Sequence, residues 1–465
     1  MRSGGIARRP ALIAAVVLVG CLAGAIMFAT PWYPSGSAVA ASASPHQWAG
    51  DFTTGEVATG SWLSRSVRLP GYLSTVAGML AAMVLGFTKL GARWSARAFP
   101  RVRGWCGRVV LGALVVTLAI RLAVVPFEVW LEVARRRAGV STQSWWAWGA
   151  DLLVGLAATS AVTAALLVAL VALARRFPRW WWAPAASFAA AAVVVGSYIY
   201  PTVVEPLYNR ITPMAEGPLR SSLLQLAEQD GVPVSEVLVA DASRRTTRLN
   251  AYVSGFGSTW RLVIYDTLLA EAPPDYVRRI VAHELGHAKR HDVLRGTLVG
   301  ALAVGTAVVV LALLLDNRRI GRRAGVRSVA DPRVVALVLA LVAVGTLVAA
   351  PIQNLVSRRI ETRADLHALD LTRDPAGYAE TQRWLAVTNR SELRPSPVVA
   401  GLFSTHPTPP ERIALVRWWA ADQGVPPVPA LVAGEGVAGE GVAGEGVAGA
   451  GVAGAGVAGA GVPGG

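Results

Sequence analysis

The sequence predicts a mainly α-helical membrane protein, with about seven transmembrane helices and a small α+β domain that a transmembrane hairpin interrupts. Three observations predict it. Of 465 residues 53% are hydrophobic and only 16% charged, and the mean hydropathy is +0.46; an average soluble domain carries about 25% charge. The apolar residues fall in blocks near the ~20 residues that cross a bilayer. Between the fifth and sixth blocks the texture becomes polar, with strand-like and helix-like patterns.

Charge and cysteine narrow the class further. The net charge of +15 is almost all arginine, the only lysines being Lys89 and Lys289. These arginines flank apolar blocks and form no basic recognition element, so membrane topology rather than nucleic acid explains them. The two cysteines, Cys21 and Cys106, lie in or beside apolar blocks and suggest neither a disulfide framework nor a thiolate metal site.

Taken in order, residues 1–200 form an N-terminal membrane region of about five spans. The run 10–29 follows Arg2, Arg8 and Arg9 and reads best as a first transmembrane helix. A signal peptide cut after Ala38-Val39-Ala40 competes, as does a lipoprotein signal at Leu18 to Cys21, although the run stays apolar past that cysteine. Further spans are expected near 69–90, 107–130, 150–174 and 181–200. Trp145, Trp146 and Trp148, then Trp180, Trp181 and Trp182, lie where an aromatic belt would sit.

Residues 201–293 make a first catalytic part. Leu219 to Gln229 has helical period, Val234 to Ala240 and Trp260 to Tyr265 read as strands, and Asn250 to Gly257 is extended between them. Asp275 to Val293 is a helix leading into an apolar one. The hairpin 294–353 holds two spans, near 294–315 and 334–353, joined by a loop with six arginines from Arg318 to Arg333. The second catalytic part, 354–428, holds helices at Arg358 to Leu371, Tyr378 to Thr388 and Pro410 to Ala421. The tail 429–465 is a GVAGE/GVAGA repeat, glycine-rich and expected to be flexible.

The chemistry centres on His283-Glu284-Leu285-Gly286-His287. Positions four apart share a helix face, so His283 and His287 can close on one metal ion while Glu284 projects beside them towards an activated water. Zinc suits the work, being redox-inert and content with imidazole and carboxylate. With six histidines in the chain, a chance HExxH is rare. A catalytic zinc needs a third protein ligand. His291 would place three ligands along about 12 Å of helix axis, and position 293 is Val293. Glu361 is the best candidate, in Ser357-Arg358-Arg359-Ile360-Glu361-Thr362-Arg363-Ala364-Asp365 directly after the last span. Asp365 shares its face and could accept the spare N–H of a ligand histidine. Alone, such a carboxylate pair reads as a solvated face; beside HExxH and a membrane helix it reads as ligand and support.

From about Pro201 to Arg417 the chain resembles the type I CAAX prenyl proteases, integral-membrane gluzincin peptidases. The resemblance rests on Glu205-Pro206-Leu207-Tyr208-Asn209, Asp241 to Arg245, Asn250-Ala251-Tyr252, Tyr265 to Leu268, HELGH, the Glu361 segment and Ser404-Thr405-His406-Pro407 with Arg412. It implies a zincin-like domain with one zinc held by His283, His287 and Glu361, Glu284 as general base, and His406 and Arg412 stabilising the oxyanion. It further implies seven helices enclosing a chamber, and an edge strand from Asn250 that pairs with substrate. Arg248-Leu249 precedes Asn250 where eukaryotic members are more polar, and no prenyl-binding surface is evident.

The expected function is a zinc-dependent endopeptidase acting in the bilayer on membrane-associated protein or peptide substrates, with no nucleic acid partner. An HtpX-like quality-control protease would share the zinc site but usually has fewer spans; a non-catalytic scaffold would break the motif, which is intact. His46 and His367 read as exposed or structural. Counting seven spans puts the arginines at 2–9, 89–103, 175–179 and 318–333 on one side, the cytoplasmic one of a cell membrane by the positive-inside rule. The catalytic parts then lie outside the cytoplasm, against the orientation of eukaryotic relatives. Arg135, Arg136 and Arg137 are the counterweight.

Overall fold

The computed structural model describes residues 5–34, 50–255 and 260–432. Helices α1 (Arg8–Ala29), α2 (Thr54–Phe87), α3 (Lys89–Ala98), α4 (Trp105–Arg137), α5 (Trp145–Arg176) and α6 (Trp182–Ile199) make the N-terminal half. Then come β1 (Ile211–Pro213), α7 (Pro218–Asp230), β2 (Val234–Ala240), β3 (Ala251–Ser254), β4 (Trp260–Tyr265), α8 (Asp266–Glu271) and α9 (Pro274–Lys289). The chain closes with α10 (Asp292–Leu315), α11 (Arg318–Ala324), α12 (Val335–Thr372), α13 (Pro375–Thr388), α14 (Pro397–Phe403) and α15 (Pro409–Asp422). Among the described residues seven helices are long and apolar enough to cross a membrane, in the order the sequence predicts. The repeat tail from residue 433, the Ala38 to Ala40 cleavage motif and the 256–257 end of the extended segment lie outside the described residues.

Three boundaries differ from expectation. The second span starts at Thr54 rather than near 69, because Thr53 and Glu56 form a capping box there that satisfies the first turn's free N–H groups. The last span does not stop at 353. Helix α12 runs unbroken through Pro351 to Thr372, so the expected separate helix at Arg358 is its continuation. Its two ends belong to different cores. Val335, Leu337 and Val338 pack with α2, α4 and α5, while Ala368 and Leu369 pack with the sheet and α9. Third, HExxH is not at the head of an apolar helix. Helix α9 ends at Lys289, His291 takes a left-handed conformation (φ 54°), and α10 restarts at Asp292. His291 stacks on Trp260, with centroids 6.3 Å apart, which holds the break against β4.

The sheet has order β1-β2-β4-β3. Strands β1 and β2 are antiparallel, β2 and β4 parallel, and β3 and β4 antiparallel with Ala251 opposite Ile264. Strand β3 is therefore an edge, where unpaired backbone groups invite another strand. One face of α9, carrying fully buried Val277, Val281 and Leu285, packs into the core that α7, the sheet, α12, α13 and α15 share.

Candidate metal centre

Pro274 and Asp275 open α9 and suit its first turn, where a missing N–H costs nothing and a negative charge is favoured. One helical turn separates His283 from His287, and their Nε2 atoms lie 3.2 Å apart. Glu361 comes in from α12: its Oε2 is 3.2 Å from His283 Nε2 and its Oε1 3.6 Å from His287 Nε2. One donor atom from each residue falls within a 4.8 Å set.

Each imidazole is braced from behind. His283 Nδ1 is 2.9 Å from Asp365 Oδ1, and His287 Nδ1 is 3.0 Å from Asp292 Oδ2. A carboxylate at Nδ1 takes that nitrogen's proton as a hydrogen bond, which leaves Nε2 with its lone pair. Two lone-pair nitrogens and a carboxylate then face one another. Glu361 Oε2 is buried and receives no hydrogen bond, a costly state for an acceptor in a protein interior. A divalent cation removes that conflict, and nitrogen with carboxylate oxygen is a donor set zinc accepts. The residues fit the ion.

The bracing carboxylates are themselves held by arginine. Arg412 bonds Asp365 through Nε (2.9 Å to Oδ2) and through Nη2, and Tyr378 donates to Asp365 Oδ1 at 2.7 Å. Arg363 bonds Asp292. The outcome is two parallel histidine–aspartate–arginine chains, one behind each imidazole. The sequence reading found Asp365 but missed Asp292, Arg363 and Tyr378. Asp292 can face His287 only because the chain turns at His291, and no spacing rule announces that turn.

Glu284 lies between the two histidines on α9 and is half-buried; burial holds its carboxyl above the ordinary range. His406 lies on the open side, its Nε2 3.5 Å from Glu361 Oε1, and burial lowers its basicity. It does not cap α15, since Thr408 and Glu411 form that cap. Arg412 is the second residue expected at the oxyanion. Two of its nitrogens are committed to Asp365, and Nη2 is 3.3 Å from His283 Nδ1, the ring nitrogen remote from the converging atoms. It lies behind His283, where it holds the His283–Asp365 pair.

The expected substrate strand lies on the same core. Asn250 accepts from the Tyr265 N–H at 3.0 Å, Ala251 is buried, and half-buried Tyr252 meets the Tyr265 ring edge-on at 6.3 Å. Strand β3 also packs on α9. Among the described residues no strand covers its outer edge.

A seven-helix membrane scaffold joined to an HExxH helix and a glutamate-bearing helix defines a membrane metallopeptidase. Residues 213–420 match peptidase family M48, and residues 70–210 match the CAAX prenyl protease N-terminal family of five membrane helices. Together the two matches make this a CAAX prenyl protease-like membrane metallopeptidase. It is 29% identical to the uncharacterized metalloprotease YhfN of Bacillus subtilis over 338 residues, 71% of this chain and 78% of that one. It is 27% identical to a CAAX prenyl protease 1 homolog of Oryza sativa over 63% of this chain and 69% of the relative. The crystal structure of S. mikatae Ste24p superposes with a TM-score of 0.72 at 19% identity, covering 87% of this chain and 98% of that chain. M48 metallopeptidases are zinc-dependent, and the N-terminal match makes this a multi-pass membrane protein. The HtpX-like and scaffold alternatives are not favoured.

Proposed function

We propose that the chain holds one zinc through His283, His287 and Glu361 and cleaves peptide bonds in membrane-associated proteins or peptides. The observation that carries this is the convergence of three acceptors, two of them buried and both imidazoles braced from behind by carboxylates. Zinc in that place supplies a Lewis acid that polarises a carbonyl and makes water acidic near neutral pH. Glu284 takes the proton of the attacking water and delivers it to the amine nitrogen as the C–N bond breaks; a carboxyl held above its ordinary range suits both halves of that task. His406, on the open side, donates where negative charge develops on the carbonyl oxygen. The substrate backbone adds to β3, which gives affinity with little demand on sequence. Purified protein is expected to contain about one zinc per chain, to lose activity with a chelator and to regain it with zinc. Activity indifferent to zinc removal would overturn the reading.

The bracing carboxylates carry a second expectation. Asp365→Ala and Asp292→Ala should each weaken zinc binding by about 10–100-fold, the usual effect of losing a partner that orients a ligand. Zinc affinity unchanged in both would make the two carboxylates structural ion-pair partners only.

For orientation, we propose that the catalytic parts face away from the cytoplasm of a cell membrane. Contacts among the arginine-bearing segments support a common side. Ala7 N–H bonds Arg179 O at 2.8 Å, Arg175 bonds Ala330 O at 3.3 Å, and Lys89 on α3 packs at Gly325 just after α11. The basic run 135–137 goes with the opposite side, where Val140 O accepts from Thr247 N–H beside the catalytic sheet. The positive-inside rule assigns the richer face to the cytoplasm. A phosphatase fused after Val432 should be active; an inactive fusion, with an active cytoplasmic reporter at the same point, would reverse the assignment.

A further inference from the structure

Asp230 is one of the buried carboxylates that the proposed mechanism leaves unused. Asp230, the last residue of α7, is 7% exposed and touches both helices that carry metal ligands. Its Oδ2 lies 3.0 Å from His367 Nε2 on α12. Its Oδ1 is 3.6 Å from Lys289 Nζ at the end of α9, and the same ammonium bonds its backbone carbonyl. The histidine it holds lies against Gly286, the residue just before ligand His287. A Cβ on Gly286 would meet His367 Cβ at 3.0 Å and Cγ and Cδ2 at 3.2 Å. A larger residue there would need the ring to give way by a few tenths of an ångström, so the two helices are in close contact at this point. His367 is also six residues beyond Glu361 on the same helix, so it is fixed to the third ligand by rigid backbone.

We propose that His367, held by Asp230, is a positioning residue for the metal centre: it spaces α9 from α12 and fixes their register, placing Glu361 against His283 and His287. The inference rests on the metal centre proposed above. A binding constellation tolerates displacements of about 0.5 Å, and bonds to zinc are about 2 Å long. Close-packed interiors transmit displacements of this size. Without the ring, α12 can settle towards Gly286, and Glu361 moves with it. Without the Asp230 carboxylate, the ring loses the contact that fixes its Nε2, while Lys289 keeps its bond to the backbone carbonyl.

A histidine that merely fills the core would affect stability alone, so the test reads the metal. In the full-length purified chain, His367→Ala should weaken zinc binding about tenfold, the lower end of the range for groups that orient ligands. It should also shift the visible absorption bands of the cobalt-loaded protein. His367→Gln keeps an Nε2 donor within reach of Asp230 and should restore both readouts, and Asp230→Ala should reproduce the defect. Leu223→Ala, a cavity in the same core at a residue 1% exposed, should lower the melting temperature and leave affinity and spectrum unchanged. Should His367→Ala fail to fold, His367→Asn, which keeps a planar amide but falls short of Asp230, carries the same readouts. Wild-type zinc affinity and cobalt spectrum in the folded His367 variant, whatever its melting temperature, overturn the proposal. Zinc retained by Glu361→Ala would sink the metal centre itself, so the two failures are distinguishable.

Discussion

Glu284→Gln should abolish peptide hydrolysis and leave zinc in place. The amide has the volume of the carboxyl, so the packing of α9 around it survives, and Glu284 is not among the three converging ligands. What disappears is the ability to accept the attacking water's proton and return it to the leaving nitrogen. General acid–base catalysis of this kind contributes about 10²–10⁴-fold, and a rate loss of that size is expected with zinc content near that of the unaltered protein. Because the proposed substrate strand at β3 is untouched by the substitution, the variant should also retain uncleaved membrane proteins on purification. Comparing membrane proteomes with the two forms then names the substrates. A glutamine variant that cleaves at the unaltered rate would show that proton transfer runs through another group.

Glu361→Ala should lose the metal. Both imidazoles keep their bracing carboxylates, yet two neutral nitrogens alone hold a dication poorly, and α12 offers no other acceptor to the converging set. The affinity loss should exceed the about 10–100-fold that follows removal of an outer partner. Thermal unfolding gives an independent reading. A ligand at 100 times its Kd stabilises the native state by about 2.7 kcal/mol, so zinc should raise the melting temperature of the unaltered chain and leave that of Glu361→Ala where it was. The metal-free forms should melt at similar temperatures, because the substitution also removes an acceptor that is buried without a donor. A variant that binds and is stabilised by zinc as before would refute Glu361 as a ligand.

The sequence was most legible where function is local. His283 and His287 are four apart on one helix, so their convergence needs no knowledge of tertiary structure. The seven spans were legible because the bilayer sets their length, and the strands at 234–240 and 260–265 because their apolar runs are short and bounded by turns. Legibility failed where an element's end is fixed by something distant. Residues 54–68 carry Ser64, Arg65 and Arg68 and look unlike a membrane helix; Ser64 and Arg68 are met there by Glu392 from the catalytic part. The stop at Lys289 depends on Trp260 stacking against His291. The same stop brings Asp292 to His287, which is why the second bracing carboxylate escaped a reading that found the first. Asp365 was accessible because it lies one turn from Glu361 on an uninterrupted helix.

That uninterrupted helix makes the site a mechanical device as well as a chemical one. From Val335 to Glu361 is 26 residues, about 39 Å of rod at 1.5 Å per residue, with its foot among the membrane helices. One degree of tilt about the foot carries Glu361 sideways by about 0.7 Å, more than the about 0.5 Å a binding constellation tolerates. Spanning helices answer a thicker or thinner bilayer chiefly by tilting. Glu361, the proposed third ligand, therefore sits at the end of a lever whose foot is gripped by the other membrane helices, and zinc affinity should vary with acyl-chain length in reconstituted vesicles.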